Sequence, residues 1–438
     1  MNRNEAQSPS FNYGVKYRVM FLITTSEEAK AFLPVHQELI KSGLVDIINI
    51  GTGKMCCERD SEPPEATMER LQMEYVSLLA MKIKNIVEVL REESPDLVIT
   101  GGDQEYIRRA FLYGADGLNI PTLLVQVGIS SDVANIPSIA VKRTVYRLRH
   151  YWLNIIRKYV YLLRTVVALR WGLLKILKMI WEDIKIAVSA DDTNGKFGKR
   201  TVAVSGSWGK KTMLLRGVDS SDIVVVGRLV NGQNNNGDCE IREMLGIGNN
   251  EKVVLFLTCA MVEHGWWTTD MRSELVNRVI DSIMPLLGES VRMVIKIHPV
   301  ERIEDYKKII DGEVSQLIIC QDVSLDAVIN ISDVVVVGGY STTVLEVATF
   351  SKPVLLLNMF NDVKGIAYED MGIATEVNDY SELQKLVREL LNNPLAKDEV
   401  VRKVGAFWKL NKEYVDGKAV ERTTGLILKL AKAYKVNK

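Results

Sequence analysis

Apolar residues recur along this chain in two ways, as short unbroken runs and as stripes at helical spacing. The run Tyr17-Arg-Val-Met-Phe-Leu-Ile-Thr-Thr25 is continuous, and a strand buried on both faces of a parallel sheet reads that way. Helical spacing follows over Ala29 to Ser42, then strand-like Val45 to Ile50, then a stretch from Pro64 to Glu92 that predicts one long amphipathic helix. Asp96-Leu-Val-Ile-Thr100 and Thr122-Leu-Leu-Val-Gln126 predict further strands, and Thr201-Val-Ala-Val-Ser205 and Asp222-Ile-Val-Val-Val226 resume the pattern beyond an unusual segment at 137–188. The second half repeats the alternation, with strands near 253–258, 291–297, 317–320, 333–337 and 353–357. Strands alternating with helices of these lengths predict an α/β protein with parallel, doubly wound sheets.

A chain of 438 residues exceeds the size at which one core keeps growing, so two domains are expected. The reading places a first Rossmann-like domain at 1–228, with helices inserted at 137–188. A Gly/Asn-rich linker follows at 229–250, then a second Rossmann-like domain at 251–405. A terminal helix at 406–438 is expected to pack back on the first domain. Ligands of such sheets sit outside the carboxyl ends of the strands, so two facing domains create a cleft.

Lys+Arg and Asp+Glu balance at 55 each, which removes any overall bias toward nucleic acid. Five cysteines lack a CxxC pair and lack ligand spacing with the four histidines, so no structural zinc or other metal is expected. The vicinal Cys56-Cys57 reads as an incidental loop pair. The polar N-terminus lacks a signal-peptide pattern, which predicts a cytoplasmic protein.

The most informative stretch is Ser332-Asp-Val-Val-Val-Val-Gly-Gly-Tyr-Ser-Thr-Thr-Val-Leu-Glu-Val-Ala348. A buried strand ends in Gly338 and Gly339, whose missing side chains let a ligand approach the backbone. Ser341, Thr342 and Thr343 then open a helix. Free N–H groups and the dipole at such an end suit a phosphate, and Glu346 stands one turn in, placed to accept from ribose hydroxyls. A plain glycine turn with a Ser/Thr cap would read the same way. The second signal is Ile295-Lys-Ile-His-Pro299, which sets His298 just beyond a strand, able to donate to the same phosphate.

The HP dipeptide, the SD-strand-Gly-Gly-x-Ser/Thr-helix-Glu element and Lys352-Pro-Val-Leu-Leu-Leu-Asn358 together resemble the donor half of GT-B enzymes. The chain is most similar there to non-hydrolysing UDP-N-acetylglucosamine 2-epimerases, CDP-glycerol transferases, and HP-motif sialic acid or Kdo transferases. The resemblance implies a nucleotide-sugar substrate, a UDP-sugar first, with no resident cofactor or metal.

Pro95-Asp-Leu-Val-Ile-Thr-Gly-Gly-Asp103 and Ile120-Pro-Thr-Leu-Leu-Val-Gln-Val-Gly128 resemble two epimerase strands. Asp103 matches, but the carboxylate expected on the later strand is Gln126, which cannot exchange protons as epimerisation at C2 requires. Inverting sugar transfer needs one base plus groups that stabilise the departing diphosphate. Asp103 is the first candidate base, with a turn or N-cap aspartate as its plain alternative. His264, in Glu263-His-Gly-Trp-Trp-Thr268 after a strand, is the second. Trp266 and Trp267 suit either stacking on a sugar or base, or walling a loop. Ser205-Gly-Ser-Trp-Gly-Lys-Lys-Thr212 is not a P-loop because its first glycine would fall at Val204, and Gly51-Thr-Gly53 lacks the rest of a dinucleotide fingerprint.

From Val133 to Trp181 there is no acid but ten Lys/Arg, and Arg143, Arg147, His150, Asn154, Arg157, Tyr161, Arg164, Ala168, Trp171, Lys175 and Lys178 share a helical face. The rest is largely apolar. Such helices suit a membrane headgroup boundary, with contact expected over 142–178, while a lid on the first domain or a homodimer interface are the alternatives. The combined expectation is a GT-B glycosyltransferase acting on a lipid or polyprenyl-linked acceptor at the inner membrane face. A 2-epimerase, a CDP-polyol phosphotransferase and a silent nucleotide-sugar binder are its rivals. Nucleic acid is not an expected partner.

Overall fold

The computed structural model describes residues 16–56, 62–127, 137–189, 197–198, 200–229, 238–288, 290–310, 316–360 and 366–437. In the first half the described elements are β1 (Tyr17–Ile23), α1 (Ser26–Ser42), β2 (Val45–Gly51), α2 (Pro64–Arg70), β3 (Val76–Ser77), α3 (Ile86–Glu93), β4 (Leu97–Thr100), α4 (Tyr106–Gly117) and β5 (Thr122–Val125). They continue with α5 (Pro137–Ala168), α6 (Leu173–Ser189), β6 (Thr201–Val204), α7 (Ser207–Leu215) and β7 (Ile223–Val225). The strands form one parallel sheet in the order β3-β2-β1-β4-β5-β6-β7. Strands β4 and β5 are buried throughout and β6 from Val202 onward, as unbroken apolar runs between helical layers must be.

The second half comprises α8 (Asp238–Met244), β8 (Lys252–Leu257), α9 (Thr269–Ile283), β9 (Val291–Lys296), α10 (Ile303–Ile309), β10 (Leu317–Cys320), α11 (Leu325–Ile331), β11 (Val334–Val337), α12 (Thr343–Thr349), β12 (Val354–Leu357) and β13 (Thr375–Val377). Then come α13 (Tyr380–Asn392), α14 (Pro394–Leu410), α15 (Lys412–Val415) and α16 (Ala419–Asn437). Its parallel sheet runs β10-β9-β8-β11-β12-β13. The chain therefore carries two Rossmann-like α/β units, as the alternation of runs and stripes predicts.

Three boundaries differ from the sequence reading. The long helix expected from Pro64 to Glu92 is broken: Gln72 takes a positive φ of 55°, β3 joins the sheet edge, and Asn85 starts α3 afresh by accepting from the Glu88 amide. The two pieces serve opposite faces of the sheet, α2 burying Met68 with Phe21 and α3 burying Ile86, Val89 and Leu90 with Met20 and Leu22. The expected linker at 229–250 is partly structured. Residues 230–237 lie outside the described residues, but α8 buries Ile241 in the second core, and Arg242 donates to the carbonyl of Ile331 at 3.1 Å.

The boundary expected at 405/406 falls inside α14, whose Val404 and Phe407 pack in the second core. The return to the first unit is made by α16, which buries Ile427 and Ala431 beside Phe32 and Leu39 of α1. Arg422 donates to the Val226 carbonyl at 3.1 Å, and Gly227, at φ +99°, lets the chain pass where a Cβ would stand 2.2 Å from the Glu413 carbonyl. Trp208 of α7 stacks on Phe407 at 5.5 Å and meets Tyr414 at 5.0 Å, so aromatic packing joins the two units near this crossing.

Candidate active site

In the second sheet the strand order reverses between β8 and β11, so the loops leaving their carboxyl ends diverge and leave a crevice there. The Gly338 amide extends the β8 to β11 pairing by donating to the Leu257 carbonyl at 2.9 Å. Gly339 has φ +136°, a conformation that side chains rarely adopt. The loop after β8 closes over it, since a Cβ on Gly339 would meet Trp267 at 3.5 Å and the Cys259 sulfur at 3.8 Å. Trp267 itself is buried edge-on against Phe360 at 5.1 Å, and Trp266 packs on the same cluster. Both tryptophans wall the loop.

His298 follows β9 on the same side. Its amide donates to the Thr258 hydroxyl at 2.9 Å, and its ring Nδ1 accepts from the Val300 amide at 3.3 Å. An accepting Nδ1 puts the proton of the neutral ring on Nε2, making that nitrogen a donor. Behind it lies a network that the sequence reading missed. Glu301 is buried, accepts from Tyr306 at 2.6 Å and from Thr258, and stands 3.6 Å from Arg272, which also binds Glu263 at 2.7 Å and Asp305 at 3.3 Å. Burial pushes the Glu301 carboxyl up to about 7, against the opposing hydrogen bonds from Thr258 and Tyr306 and the Arg272 charge. The available signal was a glutamate three positions after the HP histidine.

Ser341, Thr342 and Thr343 lead into α12, with the helix proper beginning at Thr343. The Ser341 hydroxyl accepts from the Thr343 amide at 3.3 Å and pairs with the Thr343 hydroxyl at 2.9 Å, while Thr342 sits at the cap position without a side-chain cap bond. Glu346 is ion-paired with Arg228, 2.9 Å away, from the segment that follows β7. Burial raises the Glu346 pKa and Arg228 opposes the rise. Arg228 also went unmarked in the sequence, because nothing local distinguishes it from a surface arginine.

Asp103 is placed differently from its expected role. It is completely buried, ion-paired with Arg200 at 3.1 Å, and accepts from the Phe197 amide at 3.1 Å. Both contacts fall on Oδ2, and complete burial keeps the carboxylate from an acceptor arriving from solvent, a setting closer to the turn alternative. His264 lies in the partly exposed turn after β8, its amide donating to the Ala260 carbonyl at 3.0 Å. The two candidate bases stand on different sheets and do not form a pair.

The reversal point of the first sheet lies between β1 and β4. There Glu28 accepts from the Thr24 amide and hydroxyl at 2.7 and 2.9 Å and is ion-paired with Arg108, while Gly101 passes so close that a Cβ would strike the Glu28 carboxylate. This cluster was also missed. Gln126 is buried and accepts from the Ser205 amide at 3.5 Å, an amide bridge between the ends of β5 and β6. In the loop after β2, Cys56 is a free thiol that burial pushes up to about 12, while Cys57 lies outside the described residues.

No protein-family model matches this chain, and no curated protein matches it in sequence. Solved structures match across almost its whole length. A UDP co-structure of S. aureus MnaA is 13% identical with a TM-score of 0.58, covering 96% of this chain and 97% of that one. UDP-GlcNAc 2-epimerase from Neisseria meningitidis, bound to UDP-GlcNAc, is 15% identical with a TM-score of 0.56, covering 94% and 100%. The glycosyltransferase SnogD from Streptomyces nogalater is 11% identical with a TM-score of 0.54, covering 94% and 99%. Likeness at these identities establishes the fold: two Rossmann-like units arranged as in GT-B glycosyltransferases and 2-epimerases.

Proposed function

We propose that this GT-B-fold chain is a glycosyltransferase that moves a sugar from a nucleotide-sugar donor, a UDP-sugar first, to an acceptor hydroxyl. The observation that carries the reading is that the loop after β8 lies against Gly339 at the reversal point of the second sheet while Thr258, at the end of β8, holds the loop after β9. In this reading the His298 Nε2–H and the backbone around Gly338, Gly339 and Ser341 to Thr343 hold the diphosphate, and Glu346, oriented by Arg228, accepts from the ribose. Hydrogen-bond donors fixed before reaction stabilise the leaving diphosphate without reorganising. His264 serves as base, since Asp103 is enclosed by Arg200 and Phe197. The cationic, apolar surface of α5 and α6 supports a lipid or polyprenyl-linked acceptor at the inner membrane face.

A UDP-N-acetylglucosamine 2-epimerase is the second reading, favoured by the whole-length likeness to epimerase structures. Gln126 weighs against it, because a buried amide cannot exchange the protons of that reaction.

Thermal shift with UDP-, GDP-, CMP- and CDP-linked sugars tests the donor site, since a ligand at 100 times its Kd stabilises by about 2.7 kcal/mol. Incubation with UDP-N-acetylglucosamine alone separates the chemistries. Recovery of unchanged sugar nucleotide beside a clear thermal shift is the expected result, and accumulation of the 2-epimer replaces the transferase reading with the epimerase one.

A further inference from the structure

The helices α5 and α6 are firmly mounted on the first unit. Leu162 and Val166 of α5 and Met179 of α6 are buried with Ile107 and Phe111 of α4. Arg109 of α4 is ion-paired with the buried Asp183 of α6, and Tyr159 donates to the same carboxylate at 3.0 Å. Lys158 is ion-paired with Glu105, and the Ile86 amide donates to the Thr165 hydroxyl at 3.1 Å. One side of these helices is therefore packed on the first unit, as the lid alternative has it. It leaves a second apolar side without a partner among the described residues.

On α6, Leu173, Leu174, Leu177, Trp181 and Ile184 are 71, 84, 51, 58 and 50% exposed. At 100° per residue all five fall within an arc of about 100°, so they form one stripe, with Met179 and Asp183 on the opposite, buried side. On α5, Leu148, Trp152, Leu153 and Ile156 are likewise more than half exposed and share a face. Exposed Lys178 and Lys185 border the α6 stripe, and exposed Arg149, Arg157 and Arg164 accompany that of α5. Glu182, the exposed acid of α6, lies outside the stripe. The apolar surface thus extends beyond the 142–178 range read from the sequence, to Ile184 and Lys185.

We infer that this α5–α6 face docks the protein on the surface of an anionic phospholipid bilayer, with the leucine and tryptophan side chains at the acyl boundary and the flanking lysines and arginines on lipid phosphates. Charge complementarity selects this occupant. A second copy of the chain meeting this face symmetrically would set one stripe bordered by Lys178 and Lys185 against another of the same charge, whereas anionic headgroups neutralise these lysines. No helix among the described residues is long and apolar enough to cross a membrane, so the contact is one of lying on the surface. The inference rests on α5 and α6 alone and stands apart from the donor reading. It adds where a lipid-linked acceptor would be met.

The test is flotation of the full chain with phosphatidylcholine vesicles, with and without phosphatidylglycerol. The expected result is binding that requires the anionic lipid. Leu174→Glu/Leu177→Glu/Trp181→Glu, all at exposed positions, should cut vesicle binding at least about tenfold. Lys178→Glu/Lys185→Glu should cut it about 25-fold, each lysine near an anionic surface contributing a factor of about five. Both variants should keep the wild-type thermal shift with nucleotide sugar, so a failure here is distinguishable from a failure of the donor site. Absence of the full chain from anionic vesicles overturns the inference. So does a dimer in sedimentation that the apolar substitutions split while vesicle binding stays unchanged, an outcome that assigns the face to a second copy.

Discussion

Arg228 and Glu346 face each other at 2.9 Å, tying the segment after the last strand of the first sheet to the helix that follows β11 in the second. Burial pushes the Glu346 carboxyl up and the Arg228 charge holds the rise in check. Arg228→Ala should therefore raise the Glu346 pKa further. If the charged form binds ribose, affinity for the sugar nucleotide falls as pH drops through that pKa, and the variant should lose affinity at a higher pH than the wild type. Titration calorimetry across the acid range reads the shift; superimposable profiles would remove Glu346 from the binding site.

The Asp103 and Arg200 side chains are both fully or nearly fully buried. Removing one partner of a buried ion pair strands the other, at a cost of about 3–5 kcal/mol. Asp103→Ala should accordingly shift the urea midpoint strongly downward. A variant that kept its stability and lost only turnover would restore Asp103 as the base.

His298 follows β9 with its backbone held by Thr258 and its Nδ1 accepting from the Val300 amide, which puts the ring proton on Nε2. A hydrogen bond to a charged group contributes about 1.5–3 kcal/mol, so His298→Ala should weaken sugar-nucleotide binding roughly 10- to 100-fold with little change in Tm. Unaltered affinity would mean that the diphosphate lies elsewhere.

Glu301 links stability to pH. Its native carboxyl titrates at about 7, against 4.5 when unperturbed, so between these values the folded protein holds a proton that the unfolded chain has released. Its contribution is therefore fully present below the unfolded value, falls by on the order of 3 kcal/mol as pH rises toward about 7, and is flat above. Glu301→Gln stays neutral throughout and should show a smaller drop in Tm between these limits than the wild type. Parallel Tm profiles for the two proteins would place the proton on another group.

Gly339 sits at φ +136° under Trp267. Gly339→Ala should lower stability by about 1–3 kcal/mol through backbone strain alone. Because the strained turn lies at the crevice, its sugar-nucleotide thermal shift should shrink as well. A fully stable variant with a normal shift would show that the turn relaxes without consequence.

Two kinds of information are separated by this protein. Features written in neighbouring residues were legible from the chain: the continuous runs that became β1, β4, β8 and β11, the α/β alternation, the glycine pair ending in a helix, the HP dipeptide, and the basic helices at 137–188, acid-free as far as Trp181. Each reports a local backbone preference or the two faces of one element, and periodicity records those directly. Tertiary structure alone decided that Asp103 meets Arg200, that Arg228 reaches Glu346, and that Glu301 supports the His298 loop from behind. It also divided the apolar residues of α5 and α6 between a side buried on α4 and a side facing outward. Helical spacing marks a residue as apolar and says which neighbours share its face. Whether another part of the chain covers that face depends on contacts between distant segments, and no local pattern carries them.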